Sequence, residues 1–188
     1  MSTTSAVERA NEFVSFLNAS PTPFHAVKNA SALLEKAGFK LIKVNEGVYH
    51  SGAWHSVLTN HQERDSWSSS LKNGGKYYFT RNGSTLAAFA IGKQWKAGNP
   101  LAMIGTHTDS PVLRIKPISK RKGEGFMQVG VECYGGGLWH TWFDRDLSVA
   151  GRIMVKEGDK VVQKLVKVER PMLRSKETFS CQTPVALS

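Results

Sequence analysis

The sequence predicts an α/β protein, a three-layer sandwich with a histidine at the carboxyl end of a strand. Three observations predict it. Two amphipathic helical stretches open the chain, hairpin strands begin near Tyr77, and Leu101-Ala102-Met103-Ile104 is a short apolar run of the kind carried by a strand buried on both faces. That run breaks at Gly105 and delivers His107 and Asp109, two residues apart. In open α/β sheets ligands bind beyond the carboxyl ends of the strands. A neutral imidazole there can bind a metal, and a carboxylate beside it can hold the ring in one tautomer or steer a base. A bare His-x-Asp is weak evidence, since a strand ending in a polar turn at Ser110-Pro111 has the same letters.

The first helix is predicted over residues 7–17, where Val7, Ala10, Val14 and Leu17 recur at helical spacing beside Phe13. Ser20-Pro21-Thr22-Pro23 breaks it. Thr22 is a good N-cap and Pro23 suits the first helical position of a second helix, which runs to about Ala37. Val27, Ala30, Leu34 and Ala37 line its apolar face, and Gly38 is its expected stop. His25, in the first turn, reads as structural. Phe39 to Val44 reads as a strand. Residues 47–73 hold His50, His55 and His61 at spacings that match neither a helix face nor a strand face, so they are expected to form an exposed, mobile loop.

Tyr77–Thr80 and Thr85–Ile91 read as strands joined by Asn82-Gly83, which accepts the positive φ angles of a tight turn. Gly98-Asn99-Pro100 is a further turn, and Leu101 to Ile104 the central strand. Val112–Ile115 alternates as a strand, residues 119–125 read as a basic loop, and Phe126–Cys133 as a strand. Tyr134-Gly135-Gly136-Gly137 implies close approach of backbone to something. No Gly-Lys-Ser/Thr follows it, which excludes a phosphate-binding P-loop. Asp144 and Asp146 invite a metal reading, yet with Arg145 between them they are read as an ion-pair network. Arg152–Val155 and Val161–Val168 frame a hairpin around Glu157-Gly158-Asp159.

With 188 residues the chain is long enough for one domain with a real core. Its net charge of +10 would allow an acidic partner, but the charges are scattered apart from Lys116, Lys120, Arg121 and Lys122, and no nucleic-acid-binding signature accompanies them. Nucleic acid is therefore not an expected partner. No apolar run approaches the roughly 20 residues of a membrane span, so no membrane is expected either. Two cysteines without a zinc or disulfide pattern, and no secretory leader, point to the cytoplasm.

Gly105-Thr106-His107-Thr108-Asp109-Ser110-Pro111 resembles the first metal-ligand motif of the aspartyl aminopeptidases, zinc exopeptidases that remove N-terminal Asp or Glu from peptides. Other words agree in order: Ser20-Pro21-Thr22-Pro23-Phe24-His25-Ala26-Val27, Val129-Gly130-Val131-Glu132, Tyr134-Gly135-Gly136-Gly137, Trp142-Phe143-Asp144-Arg145-Asp146-Leu147 and Val168-Glu169-Arg170-Pro171. The resemblance implies His107 as a metal ligand, Asp109 as its catalytic partner, two Zn(2+) per complete site, peptides with acidic N-termini as substrates and a homo-oligomeric assembly. It implies residues 1–149 as the front of the peptidase domain and 150–174 as the beginning of an inserted β-rich assembly domain. Residues 47–73 then read as a divergent insertion and 175–188 as an unrelated tail. Since one His cannot hold catalytic zinc, which takes about three protein ligands, the chain is expected to be a truncated form, inactive alone. The alternative is a non-catalytic module that docks on full-length subunits.

Overall fold

In a computed structural model, residues 5–42, 67–123, 126–175 and 184–187 are described. They fall into two compact units, Met1–Thr108 and Asp109–Ser188. Helices and strands are mixed, as an α/β chain requires.

In the first unit α1 spans Ala6–Ala19 and α2 spans Pro23–Lys36. A capping box starts α1: the Ser5 hydroxyl accepts the Glu8 N–H, and the Glu8 carboxylate accepts the Ser5 N–H at 2.6 Å. Thr22 caps α2 by accepting the His25 N–H, with Pro23 at the first position. Gly38 ends α2 at φ 84°. Its N–H reaches the Glu35 carbonyl and the Phe39 N–H the Leu34 carbonyl, both at 2.9 Å, which is a Schellman closure. The apolar faces fare differently. Val27 of α2 is buried, whereas Val7, Val14 and Leu17 of α1 are each more than half exposed.

Three strands follow, β1 (Lys40–Leu41), β2 (Lys76–Arg81) and β3 (Thr85–Ala90), with β1 parallel and β3 antiparallel to the central β2. The β2–β3 turn has Asn82 at φ 53° and Gly83 at φ 61°, and the Ser84 N–H closes it on the Arg81 carbonyl at 3.1 Å. Tyr77 and Tyr78, adjacent on β2, are both buried. The Tyr77 hydroxyl accepts the Lys72 N–H at 3.0 Å and donates to the Ser70 carbonyl at 3.3 Å. Residues 67–70 form a helical turn whose Trp67 ring lies 5.2 Å from that of Phe79. Residues 67–73 are therefore part of the packed structure, contrary to the loop expected over 47–73. The cause is a pair of aromatic anchors that spacing arguments do not register. Residues 47–66, with His50, His55 and His61, lie outside the described residues.

Tyr78 donates a hydrogen bond to Glu35 of α2 at 2.5 Å. That hydrogen bond, then burial, then the Glu35 charge raise the phenol above its ordinary value of 10.0. A pKa raised on folding favours the neutral phenol in the fold. Its contribution is complete below the unfolded pKa and is lost as pH rises through the folded one. Tyr78→Phe should lower stability by about 1–2 kcal/mol at neutral pH and flatten the alkaline fall, as read by urea unfolding from roughly pH 8 to pH 11. An unchanged alkaline slope would contradict this assignment.

The second unit is built on a five-stranded sheet in the order β4 (Val112–Gly123), β5 (Phe126–Tyr134), β10 (Pro184–Leu187), β9 (Leu173–Arg174), β6 (Asp146–Leu147). A 3-10 helix covers Trp139–Trp142, and β7 (Ala150–Glu157) pairs with β8 (Lys160–Lys167) as a separate hairpin turning at Gly158, φ 60°. The buried core is Val131 and Leu173, with Leu113, Val129, Leu147, Val149 and Met172 packed around them.

One expectation is corrected here. Residues 119–123 continue β4 rather than forming a basic loop; the ladder with β5 shifts register between Ile115 and Lys120 and then resumes. Alternation breaks at that irregularity, so periodicity ends the strand too early. Beyond Arg174 the described residues join the same sheet. Ser175 is buried at 1% exposure, and β10 lies between β5 and β9. The Ser175 hydroxyl accepts the Arg145 N–H at 3.0 Å and donates to the Trp142 carbonyl, tying the residues after β9 to those before β6.

Candidate active-site segment

The segment expected to be the central strand is not one. Leu101, Met103 and Ile104 are 72%, 87% and 94% exposed, and residues 101–107 have no regular secondary structure. An apolar run of this kind becomes a strand only when neighbours pair its backbone and layers cover both faces. Among the described residues no strand pairs with it. His107 accordingly lies exposed near the end of the first unit rather than at the carboxyl end of a strand.

Asp109 opens the second unit and is half-buried. The Tyr134 hydroxyl donates to its Oδ2 at 2.9 Å. The pairing explains how these residues meet. Val112 lies opposite Tyr134 in the β4–β5 ladder, so the three residues before Val112 run past the end of β5. Arg114 lies on the same face as Val112 and diagonal to Tyr134. Its guanidinium carbon sits 3.2 Å from the centre of the Tyr134 ring. Gly135, at φ 84°, is where backbone approaches backbone: a Cβ there would come within 3.3 Å of Pro111 Cα. A Cβ on Gly137 would meet Trp139 at 3.4 Å and Pro111 at 3.7 Å. The glycine run of the sequence thus packs against the proline that ends the His107–Asp109 motif.

Asp144 and Asp146 do form an ion-pair network, but through Arg174 rather than Arg145. Arg174 Nη2 lies 3.8 Å from Asp144 and Nη1 3.6 Å from Asp146. Arg145 instead lies 5.2 Å from the Trp142 ring centre. All three charged groups of the network are more than half exposed, and such pairs contribute little to stability. His25 is buried, its Nδ1 2.7 Å from the Thr22 hydroxyl, in keeping with its structural reading. His140 is exposed on the 3-10 turn.

Among the described residues no group of three His, Cys, Asp or Glu is placed to hold a metal ion. His107 and Asp109 together fall short of the three protein ligands a catalytic zinc takes. No helix among the described residues is long and apolar enough to cross a membrane.

Residues 16–176 match the family described as aminopeptidase I zinc metalloprotease, M18. The chain belongs to the M18 aminopeptidases. Against the aspartyl aminopeptidase of Aspergillus oryzae it is 63% identical over 166 residues, covering 88% of this chain and 30% of that protein. Against aspartyl aminopeptidase 4 of Saccharomyces cerevisiae it is 49% identical, covering 87% of this chain and 30% of that one. Among solved structures, the M18 chain in the cryo-EM structure of the Ape4 and Nbr1 complex superposes with a TM-score of 0.79 at 42% identity, covering 95% of this chain and 33% of that chain. The S. cerevisiae mApe1 dodecamer gives 0.77 at 29% identity, covering 96% and 38%. This M18 chain thus spans about a third of the length of the relatives it matches.

Tyr134 and Ser175 are the residues that sequence reasoning passed over. For Tyr134 a signal existed: pairing the two alternating strands would have set it three residues from Asp109. Ser175 carries no such signal, because nothing local distinguishes a buried serine from one in a loop.

Proposed function

We propose that these residues supply His107, as a metal ligand, and Asp109, as the carboxylate acting beside it, to the two-zinc centre of an aspartyl aminopeptidase that releases N-terminal Asp or Glu from peptides. The observation that carries the reading is the match to a zinc metalloprotease family over residues 16–176, which includes the whole Gly105–Pro111 motif. The identity of 63% to an aspartyl aminopeptidase supports the acidic preference. The dodecameric relative supports a homo-oligomer; residues 150–174 are its assembly element in this reading. The few cysteines in the sequence support a cytoplasmic setting.

One imidazole and one carboxylate do not make a hydrolytic centre, so no bond-breaking step is assigned to these residues alone. The chain by itself is inactive in this reading. The second reading, a non-catalytic module docking on full-length subunits, draws on the same shortage of ligands and on the exposed Ile153, Met154 and Val161 of the β7–β8 hairpin.

The test is a chimaera in which residues 16–176 replace the matching segment of the A. oryzae relative. It should release Asp from a peptide with N-terminal Asp, lose that activity to a chelator and regain it with zinc. A folded, zinc-loaded chimaera that cleaves N-terminal Leu or Ala in preference to Asp would overturn the acidic specificity.

A further inference from the structure

We infer that Tyr134 is a positioning residue for Asp109, holding its carboxylate in one orientation through the phenolic hydroxyl. The inference rests on the reading of Asp109 as a residue of the peptidase centre. Its basis in the fold is independent of that reading.

Four observations converge on one short stretch. The Tyr134 hydroxyl donates to Asp109 Oδ2 at 2.9 Å. The ring that carries the hydroxyl is itself fixed, being half-buried with the Arg114 guanidinium 3.2 Å from its centre. The backbone on either side of the pair is close-packed as well: Gly135, at φ 84°, lies so near Pro111 that a Cβ there would be 3.3 Å from its Cα. The ladder sets the register, with Val112 opposite Tyr134 and Leu113 opposite Cys133. Asp109 lies in a stretch without regular structure. The hydrogen bond from a strand-borne tyrosine ties its carboxylate to the sheet. A hydrogen bond to a charged acceptor is strong enough to select one rotamer of a short side chain. The Arg114 stack adds a cation–π attraction that keeps the ring from swinging away.

This account also explains why Tyr134 is followed by glycines. A Cβ at position 135 would crowd Pro111 at 3.3 Å, next to the segment that carries Asp109, and the positive φ of 84° disfavours a side chain there. The tyrosine supplies the donor and the glycine sets its distance.

The test uses Tyr134→Phe, which keeps the ring and the Arg114 stack and removes only the hydroxyl. In the 188-residue chain, three-bond couplings to the Asp109 carboxyl carbon report its χ1 angle by NMR. The unsubstituted chain should show a single rotamer, and Tyr134→Phe should show averaging in a chain that remains folded. In the chimaera the same substitution should lower kcat by about 10-fold, the smaller end of what residues orienting a ligand or its partner cost, with KM unchanged. A structural role alone would not split kcat from KM in this way. Averaged couplings in the unsubstituted chain, unaltered couplings in Tyr134→Phe, or averaging without loss of kcat would each overturn the inference. An inactive unsubstituted chimaera would instead count against the proposed function, and the couplings would still decide the role of Tyr134.

Discussion

His107→Ala in the chimaera is expected to bring release of Asp from an N-terminal Asp peptide below detection. The reasoning is one of ligand number. A catalytic zinc takes about three protein ligands and keeps one position open, so losing one leaves a site that neither retains the metal well nor fixes its geometry. His107 is exposed in the isolated chain, so its substitution should leave the chain folded. The loss of activity should therefore come with a loss of zinc in a protein that still folds. Asp109→Ala should behave differently. In the proposed roles it removes a carboxylate that orients rather than one that binds, and it should leave zinc in place while cutting turnover roughly 10–100-fold. The two variants together separate a ligand from its partner by zinc content at equal folding. Full zinc retention in His107→Ala would contradict the assignment.

Much of the fold is legible in the sequence because the signals are local. Thr22-Pro23 and Gly38 mark the ends of α2, and the structure shows the cap and the Schellman closure there. Asn82-Gly83 gives a turn with both φ angles positive. The β7–β8 hairpin likewise turns at the glycine expected. What is not legible depends on contacts between distant residues. The apolar run 101–104 has the composition of a buried strand, but composition specifies an environment and does not supply it. The stripe on α1 is a similar case: Val7, Val14 and Leu17 have helical spacing, and spacing says which face would be covered without saying by what.

The site shows the same division. His107 and Asp109 stand out as a motif because they are adjacent in sequence. Tyr134 does not, because its relation to Asp109 exists only once β4 and β5 are paired in register. The glycines after it were informative about close approach but silent about the neighbour, which is Pro111 of the same motif. Asp144 and Asp146 flank Arg145 in the sequence, whereas the fold pairs them with Arg174, which β9 brings beside β6.

The central claim is that this chain contributes a ligand and its partner to a zinc peptidase centre without completing one. The most direct measurement is made on the purified 188-residue chain, equilibrated with zinc, freed of unbound metal and assayed for bound zinc and for turnover of an N-terminal Asp peptide. Two described residues of the expected centre, and no three-ligand cluster among the described residues, predict substoichiometric zinc and no turnover. Stoichiometric zinc with turnover that a chelator abolishes would contradict the claim, and would mean that His140, Asp144 or Asp146 serve as ligands after all.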